Sequence, residues 1–436
     1  LPNLFYEVHL FFDNGRQIRG WSVAGLPGVI NGYNENIAWG FTNIGDTQDL
    51  FIETRSEQQP QLFLDGEDWY EARIETVHIP VKGRDEPEQL QIMHTRNGPL
   101  VSDEPPLSLS WTAHHIGQRG LDSVFAFNLA SNWQEFNDAL DLHPAPTLNA
   151  TYADVHGTIG FRTAGMLPRR GAGEGLCPLA GQTPGTRWQG FVEPGDMPRA
   201  SNPPNGFLAA ANARVAPQGS YPLVSADNAA PYRIRRIQDY LQQQERISAA
   251  DMQSLQMDWY DGQAAQLLPY LLAELERETL SPAAQEAVQS LQAWAARPVA
   301  SRDSEAALIF QQWYMDIARE VFVPSLGDEL YARLLRRSYP LNHALDTLIV
   351  TDSYDSWWPD TAGKTLARAF EKTVATLTAT TGQTPSNWRL DQHQAVGLEH
   401  ELSKAVPVLR HLFAAPSMPW GGSTSTVGRA SYSYSR

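Results

Sequence analysis

The spacing of apolar residues changes along this chain of 436 residues, most clearly near residue 236, and this change constrains the fold more than any motif. Before it, apolar and polar residues alternate, as in the run Leu4 to Leu10, which is the period of a half-buried strand. Turn dipeptides such as Asn97-Gly98 separate these short runs. After it, the apolar residues of the run Met252 to Trp259 follow helical spacing.

This change, together with a looser pattern and a final strand-like run after Pro385, predicts three segments. We expect a β-rich part over residues 1–235, a mainly helical lobe over 236–385 and a return to the sheets over 386–436. The order of strands, then helices, then strands is typical of an α+β fold. No fixed-period repeat is visible, so the sequence does not support a solenoid or a propeller.

Helix-start signals support the segment boundaries. Ser248 to Asp251 resembles a capping box, and Ser281-Pro282 has the pattern of an N-cap followed by proline at the first helical position. Further helices fit residues 304–322, 326–337 and 362–378. Within the β-rich part we expect one helix beginning at Asn132, with Ser131 as its N-cap.

The charge balance and the cysteine content exclude several classes of protein. The chain has 33 basic and 49 acidic residues, a net charge of −16, and no basic stripe, which argues against nucleic acid as a partner. No run of 18 apolar residues occurs, so we expect no transmembrane segment. Cys177 is the single cysteine, which excludes internal disulfides. The first residue is Leu1 and the last residues alternate without a closing turn, so we expect a longer parent chain.

Three polar sites are candidates for chemistry, and each has a plainer alternative. Asp46 and Asp49, with a nearby backbone carbonyl, could supply oxygen ligands to Ca²⁺ or could cap a solvated turn. Asn212 follows an apolar run, so its amide serves either a structural hydrogen bond or a ligand. Arg233 either starts a solvated helix or belongs to a site. The residues alone give no activity.

Several segments, in their order, resemble the penicillin acylase family of N-terminal nucleophile amidohydrolases, which includes acyl-homoserine lactone acylases. The resemblance covers most of the family's β-chain. The segments that carry it are Leu-Pro-Asn-Leu-Phe-Tyr-Glu-Val-His-Leu at 1–10, Gly-Leu-Pro-Gly-Val-Ile-Asn-Gly-Tyr-Asn-Glu-Asn-Ile-Ala-Trp-Gly-Phe-Thr-Asn at 25–43, Arg-Asn-Gly-Pro-Leu-Val at 96–101, Asn-Pro-Pro-Asn-Gly-Phe-Leu-Ala-Ala-Ala-Asn at 202–212, Pro-Tyr-Arg-Ile-Arg-Arg-Ile at 231–237 and Gly-Gly-Ser-Thr-Ser-Thr-Val-Gly-Arg-Ala at 421–430.

The resemblance implies a fold and an activity. The expected fold is the four-layer αββα arrangement of N-terminal nucleophile hydrolases, with a helical lobe. The expected activity is hydrolysis of linear amide bonds in N-acylated small molecules, either β-lactam side chains or N-acyl-homoserine lactones. The nucleophile would be an N-terminal Ser, exposed by autoproteolysis of a zymogen and absent from this chain. The expected partner is an α-chain from the same precursor, forming a heterodimer in the bacterial periplasm or outside the cell.

The resemblance also assigns roles to residues. Asn212 falls on the oxyanion-hole asparagine, Asn43 on the residue whose backbone N–H is the second donor, and Arg233 on an arginine that orients the site. Asn31 stands where benzyl-penicillin enzymes place a phenylalanine that lines the acyl pocket, which should weaken an aromatic acyl site unless Asn31 turns away. A structural Ca²⁺ is expected, without an organic cofactor, and its ligands would be Asp46, the carbonyl of Gln48, Asp49, Asp227 and a Glu of the α-chain.

Two alternatives remain open at this stage. The chain could be a non-catalytic ligand-binding module or an inactive relative, with the acidic loop holding a structural metal. It could also be an active enzyme whose acyl preference is neither aromatic nor fatty. The sequence encoded upstream of Leu1 distinguishes the first alternative from an active hydrolase, because the hydrolase needs a Ser, Thr or Cys there.

Overall fold

The computed structural model describes residues 4–44, 47–115, 117, 121–217, 222–351, 356–382, 384–397, 400–413 and 416–430. By internal contacts these residues form two compact units, one comprising Phe5–Asn228 and the other comprising residue 4 and the described residues from Ala229 onward. No helix among the described residues is long and apolar enough to cross a membrane.

The unit Phe5–Asn228 is built mainly of strands, as the alternating pattern predicts. Its strands are β1 (Phe5–Phe11), β2 (Gln17–Val23), β3 (Asn31–Tyr33), β4 (Ile37–Asn43), β5 (Gln48–Ile52), β6 (Leu62–Asp65), β7 (Asp68–Glu71), β8 (Arg73–Ile79), β9 (Glu88–Thr95), β10 (Gly98–Asp103), β11 (Pro106–Trp111), β12 (Leu148–Asp154), β13 (Ile159–Ala164), β14 (Pro168–Arg170), β15 (Leu179–Ala180), β16 (Trp188–Phe191) and β17 (Arg199–Ser201). Its α-helices are α1 (Asp122–Leu129) and α2 (Trp133–Asp141).

Two larger sheets organise this unit. The first has seven strands in the order β1-β2-β3-β4-β12-β13-β17, and the second has six in the order β15-β5-β11-β10-β9-β8. In the first sheet, β1 and β2 form an antiparallel hairpin from Phe5↔Val23 to Phe11↔Gln17. The turn between them uses Gly15 at φ 84°, a left-handed conformation that glycine adopts without a steric penalty.

Helices α1 and α2 cover the first sheet. Their apolar side chains Val124, Phe127 and Phe136 share one buried cluster with Trp39 of β4 and Tyr152 of β12. Helix α2 begins at an N-cap one residue later than expected, because Asn132 accepts the hydrogen bond from the N–H of Glu135. The prediction of Ser131 as the N-cap is therefore wrong by one position.

The second unit is mainly helical. Its helices are α3 (Tyr232–Gln242), α4 (Ala249–Gln256), α5 (Gly262–Leu275), α6 (Pro282–Ala295), α7 (Glu305–Leu335), α8 (Ser338–Val350), α9 (Ala362–Thr381), α10 (Glu401–Ala405) and α11 (Arg410–Phe413). Two short strands, β18 (Ala395–Val396) and β19 (Met418–Pro419), pair with each other. The core of this unit is a separate apolar cluster that includes Leu267, Trp313 and Phe370. The three-segment division itself stays a prediction.

Candidate active site

Strand β4 ends at the candidate site, and near its end it is no longer paired with β3 along one of its edges. Strand β3 pairs with β4 only at Gly32↔Trp39 and Tyr33↔Ala38. Beyond Trp39 the side chain of Asn31 takes the place of a backbone acceptor of β3. Its Oδ1 accepts a hydrogen bond of 2.6 Å from the N–H of Phe41. In an antiparallel sheet, alternate residues of one strand direct their N–H and C=O groups to the same side. The N–H and C=O of Asn43 therefore point to the side on which pairing with β3 has ended.

Asn212 meets Asn43 on this side of β4. The amide Nδ2 of Asn212 donates a hydrogen bond of 2.7 Å to the carbonyl oxygen of Asn43. The backbone of Asn212 has φ 60°, a left-handed conformation that is uncommon outside glycine and is tolerated by asparagine. The sequence places these residues 169 positions apart, and the structure brings them together. The oxyanion-hole roles that the family resemblance implies for them stay predictions.

An apolar cavity of about 500 Å³ adjoins this pair. Asn43 and Asn31 line it together with apolar residues, among them Leu26, Ile30, Phe127 and Leu148. A cavity of this size and polarity fits a small apolar group beside a few polar anchors.

His143 adds a third polar side chain to the cavity wall. Burial lowers the pKa of its imidazole, and its Nε2 lies 2.8 Å from the carbonyl oxygen of Pro146. Since a carbonyl oxygen only accepts, Nε2 carries the proton and the ring is neutral at neutral pH. The wall of the cavity is therefore uncharged at this position.

Arg233 belongs to the second unit, in the first turn of α3. Burial and, to a smaller extent, the charge of Arg429 lower the pKa of its guanidinium, while a hydrogen bond with Tyr339 acts in the opposite direction. Its predicted role in orienting the nucleophile stays a prediction.

The predicted calcium ligands do not form a cation site in the described residues. Asp49 is buried, and its carboxylate accepts hydrogen bonds from Nε of Arg170, at 2.9 and 3.2 Å, and from the indole N–H of Trp188. A divalent cation at the same oxygens would stand beside the guanidinium, and like charges repel. No group of three or more His, Cys, Asp or Glu side chains arranged for a metal occurs in the described part of the chain.

The other predicted ligands add no support for a metal. Asp46 lies outside the described residues, Gln48 is exposed at the start of β5, and the backbone of Asp227 is hydrogen-bonded to the hydroxyl of Ser225. Calcium therefore stays a prediction, and no step below uses it. Sequence reasoning missed Arg170 and Trp188, which lie 121 and 139 positions from Asp49 and have no local signal that pairs them with it.

Comparisons with known proteins show which proteins this chain is similar to. The family model described as Penicillin amidase matches residues 1–436. An acyl-homoserine lactone acylase QuiP of Pseudomonas syringae pv. tomato is 31% identical over 333 residues, which are 72% of this chain and 40% of that protein. Penicillin acylase 2 proenzyme of Pseudomonas sp. strain SE83 is 25% identical over 442 residues, covering 98% of this chain and 55% of that protein. The chain thus spans about half or less of the length of these relatives.

A solved structure is similar to most of this chain. The thermostable penicillin G acylase from Alcaligenes faecalis superposes with a TM-score of 0.72 at 20% sequence identity, covering 89% of this chain and 75% of that chain. At this identity the likeness bears on the fold alone, and it confirms the expected α+β fold of N-terminal nucleophile hydrolases.

Proposed function

The chain belongs to the penicillin amidase family, whose model matches its whole length, and on that premise we propose that it is the larger part of the substrate-binding and oxyanion-binding machinery of an enzyme that hydrolyses linear amides of N-acylated small molecules. The observation that carries the proposal is the meeting of Asn212 and Asn43 beside the apolar cavity. The substrates we propose are β-lactams with an acylated side chain and N-acyl-homoserine lactones, because the relatives are named as acylases of penicillin and of acyl-homoserine lactone.

In the proposed reaction the acyl chain enters the cavity, and its carbonyl oxygen lies at the unpaired side of β4. The hydroxyl of an N-terminal serine of the processed parent chain attacks the carbonyl carbon, and the α-amino group of the same serine takes the hydroxyl proton. The C–N bond breaks, the amine leaves with that proton, and an ester to the serine remains. Water then hydrolyses the ester and releases the carboxylic acid.

Asn43 and Asn212 stabilise the negative charge that develops on the carbonyl oxygen. The backbone N–H of Asn43 donates to it along the side of β4 that β3 leaves open. The amide of Asn212 carries two N–H donors, so it can hold the carbonyl of Asn43 and donate to the substrate oxygen together. Arg233 is proposed to orient the amino group of the serine. An α-chain from the same precursor is proposed to complete a heterodimer in the periplasm or outside the cell.

The test is expression of the full precursor gene, followed by N-terminal sequencing, intact mass measurement and an amide panel. The panel contains phenylacetyl and straight-chain acyl amides of the same amines, with the released acid and amine measured by mass spectrometry. We expect a new N-terminal Ser, Thr or Cys and release of both products in equal amounts. A processed, folded protein that cleaves no amide of the panel would contradict the proposal and favour an inactive, ligand-binding relative.

A further inference from the structure

The first turn of helix α3 is tied to helix α8 at two neighbouring residues. The buried Tyr232 donates a hydrogen bond of 2.8 Å from its hydroxyl to Oδ2 of Asp346. The guanidinium of the next residue, Arg233, donates to the hydroxyl of Tyr339. Pro231, the N-cap of α3, makes no capping hydrogen bond with its side chain. The start of α3 therefore depends on its contacts with α8 for its position.

Asp346 is a fixed point for this anchor. Its buried carboxyl group also accepts hydrogen bonds on Oδ1 from the hydroxyl of Tyr314 in α7, at 2.8 Å, and from Nε2 of Gln263 in α5, at 2.9 Å. Donors on three helices thus converge on one side chain of a fourth helix. A shift of α3 would break the bond from Tyr232 and leave the other two in place, so the bond from Tyr232 is the one that holds α3.

The guanidinium of Arg233 stands close to a second positive charge. Burial and then the charge of Arg429 lower the pKa of Arg233, so the two guanidinium groups are near each other although like charges repel. The loop that carries Arg429 is bonded to the same network, because Ser425 donates a hydrogen bond of 3.1 Å to Oε1 of Gln263. Tertiary hydrogen bonds must therefore hold Arg233 in place against this repulsion.

We propose that Tyr232 is a positioning residue, whose hydrogen bond to Asp346 holds the guanidinium of Arg233 where the proposed reaction uses it. This proposal rests on the proposed function, in which Arg233 orients the amino group of the serine. Tyr232 acts through the backbone that it shares with its neighbour, and no bond of Tyr232 forms or breaks in the reaction.

The experiment compares Tyr232→Phe with Tyr314→Phe in the processed full-length enzyme. Both variants keep a buried ring and lose one hydroxyl that donates to Asp346 at 2.8 Å, but Tyr314 lies on α7 and is not a neighbour of Arg233. We expect Tyr232→Phe to lower kcat roughly tenfold, because small displacements of an orienting group slow the chemical step. Its KM should stay within about twofold, since no substrate contact is removed.

Tyr314→Phe is the matched control, and its kcat and KM should both stay within about twofold of the wild type. Denaturant midpoints should fall in both variants, since each loses a buried hydrogen bond. A fall of kcat that is equal in the two variants would trace the effect to general loosening of the helical unit and would overturn the proposal. Unchanged kcat in Tyr232→Phe would overturn it as well.

A double variant tests whether Tyr232 acts through Arg233. We expect Arg233→Leu to lower kcat, and the addition of Tyr232→Phe to this variant should lower kcat no further. Multiplied losses in the double variant would mean that Tyr232 acts independently of Arg233, which contradicts the proposal. If a processed and folded wild-type enzyme cleaves no amide, the proposed function itself fails, an outcome distinct from unequal effects of the variants on an active enzyme.

Discussion

The amide nitrogen of Asn212 lies 2.7 Å from the carbonyl oxygen of Asn43, although 169 positions separate the two residues. The contact fixes the orientation of the Asn212 side chain at the point where β4 runs beyond its pairing with β3. It joins a loop residue with left-handed backbone to the end of a strand, and both belong to the unit Phe5–Asn228. The first prediction depends on this contact.

Removal of the Asn212 side chain should abolish most of the turnover. We expect Asn212→Ala to lower kcat roughly 100- to 1000-fold in the processed enzyme, since one oxyanion donor is lost. Steady-state kinetics on a cleavable amide measure this. Asn212→Gly is the matched variant, because glycine accepts φ 60° without strain and so separates the loss of the donor from backbone effects. Near-normal kcat in both variants would disprove the role of Asn212.

The stability of the protein should not depend on calcium bound at Asp49. Arg170 and Trp188 already donate to its carboxylate, and the guanidinium would repel a divalent cation. We expect the Tm of the dialysed protein to stay within about 1 °C on addition of millimolar Ca²⁺ or of a chelator, as measured by calorimetry, since ligand binding would otherwise raise it. A rise of several degrees with Ca²⁺, absent in Asp49→Asn, would instead support the calcium loop that the sequence predicts.

The ion pair of Asp49 and Arg170 should be strongly coupled. Their side chains are 1% and 6% exposed, so Arg170→Leu leaves a buried carboxylate without its counter-charge. We expect this variant to lower the free energy of unfolding by about 3–5 kcal/mol. The double variant Asp49→Asn with Arg170→Leu should recover much of that loss, as shown by denaturant titration. Additive effects of the two single changes would mean that the pair does not act as a unit.

Asp346 should make the helical unit less stable as the pH rises from 4 to 7. Burial raises the pKa of this carboxyl from 3.8 to about 6, even though Tyr314, Gln263 and Tyr232 donate hydrogen bonds to it. The folded state thus holds a proton that the unfolded state releases, so the stabilisation is complete below about pH 4 and is lost as the pH passes through 6. The loss is about 3 kcal/mol at 1.36 kcal/mol per pKa unit.

Asp346→Asn removes this titration, and the comparison of its denaturant midpoints with those of the wild type between pH 4 and 7 tests the prediction. The wild type should lose stability relative to the variant over this range. A difference between Asp346→Asn and the wild type that stays constant with pH would show that the carboxyl of Asp346 does not titrate over this range.

Gly160 should not tolerate a side chain. A Cβ at this position would fall on the indole ring of Trp133, which packs against β13 from α2. We expect Gly160→Ala to lower the free energy of unfolding by about 1–3 kcal/mol, the cost of overpacking. Gly185→Ala, with no atom within 4 Å of its Cβ, is the control and should have little effect. If Trp133→Leu does not rescue Gly160→Ala, the ring is not the cause.

Local sequence signals correctly predicted helix starts that are set by residues close together in the sequence. The capping box of Ser248 and Asp251 opens α4, and Ser281 caps α6 with Pro282 at its first position, as the sequence indicates. The two helices expected at 304–322 and 326–337 correspond to the single element Glu305–Leu335, in which Gly327 is non-helical. The expected gap at 323–325 ends two residues before this interruption, so Gly327 falls inside the second expected helix, although both Pro324 and Gly327 disfavour helix.

Long-range pairing could not be predicted from local signals. The sequence pointed to Asp49 as a metal ligand because carboxylate spacing is a local property, whereas its partner Arg170 is 121 positions away. Helix α1 was not predicted, since it lacks a side-chain cap at its start. The resemblance to a family supplied Asn212 and Asn43 as a pair, and the residues alone left Asn212 undecided between a structural hydrogen bond and a ligand contact.

The cavity beside Asn31 and Asn43 is lined within the unit Phe5–Asn228, and the helical unit has its own apolar core. Mutational libraries aimed at this cavity can accordingly be confined to the unit Phe5–Asn228. The residues on which the helical core depends for its folding can stay constant throughout such an effort. The residues that line this cavity and the residues of the helical core thus lie in different stretches of the same gene, so one set can be varied while the other is left unchanged.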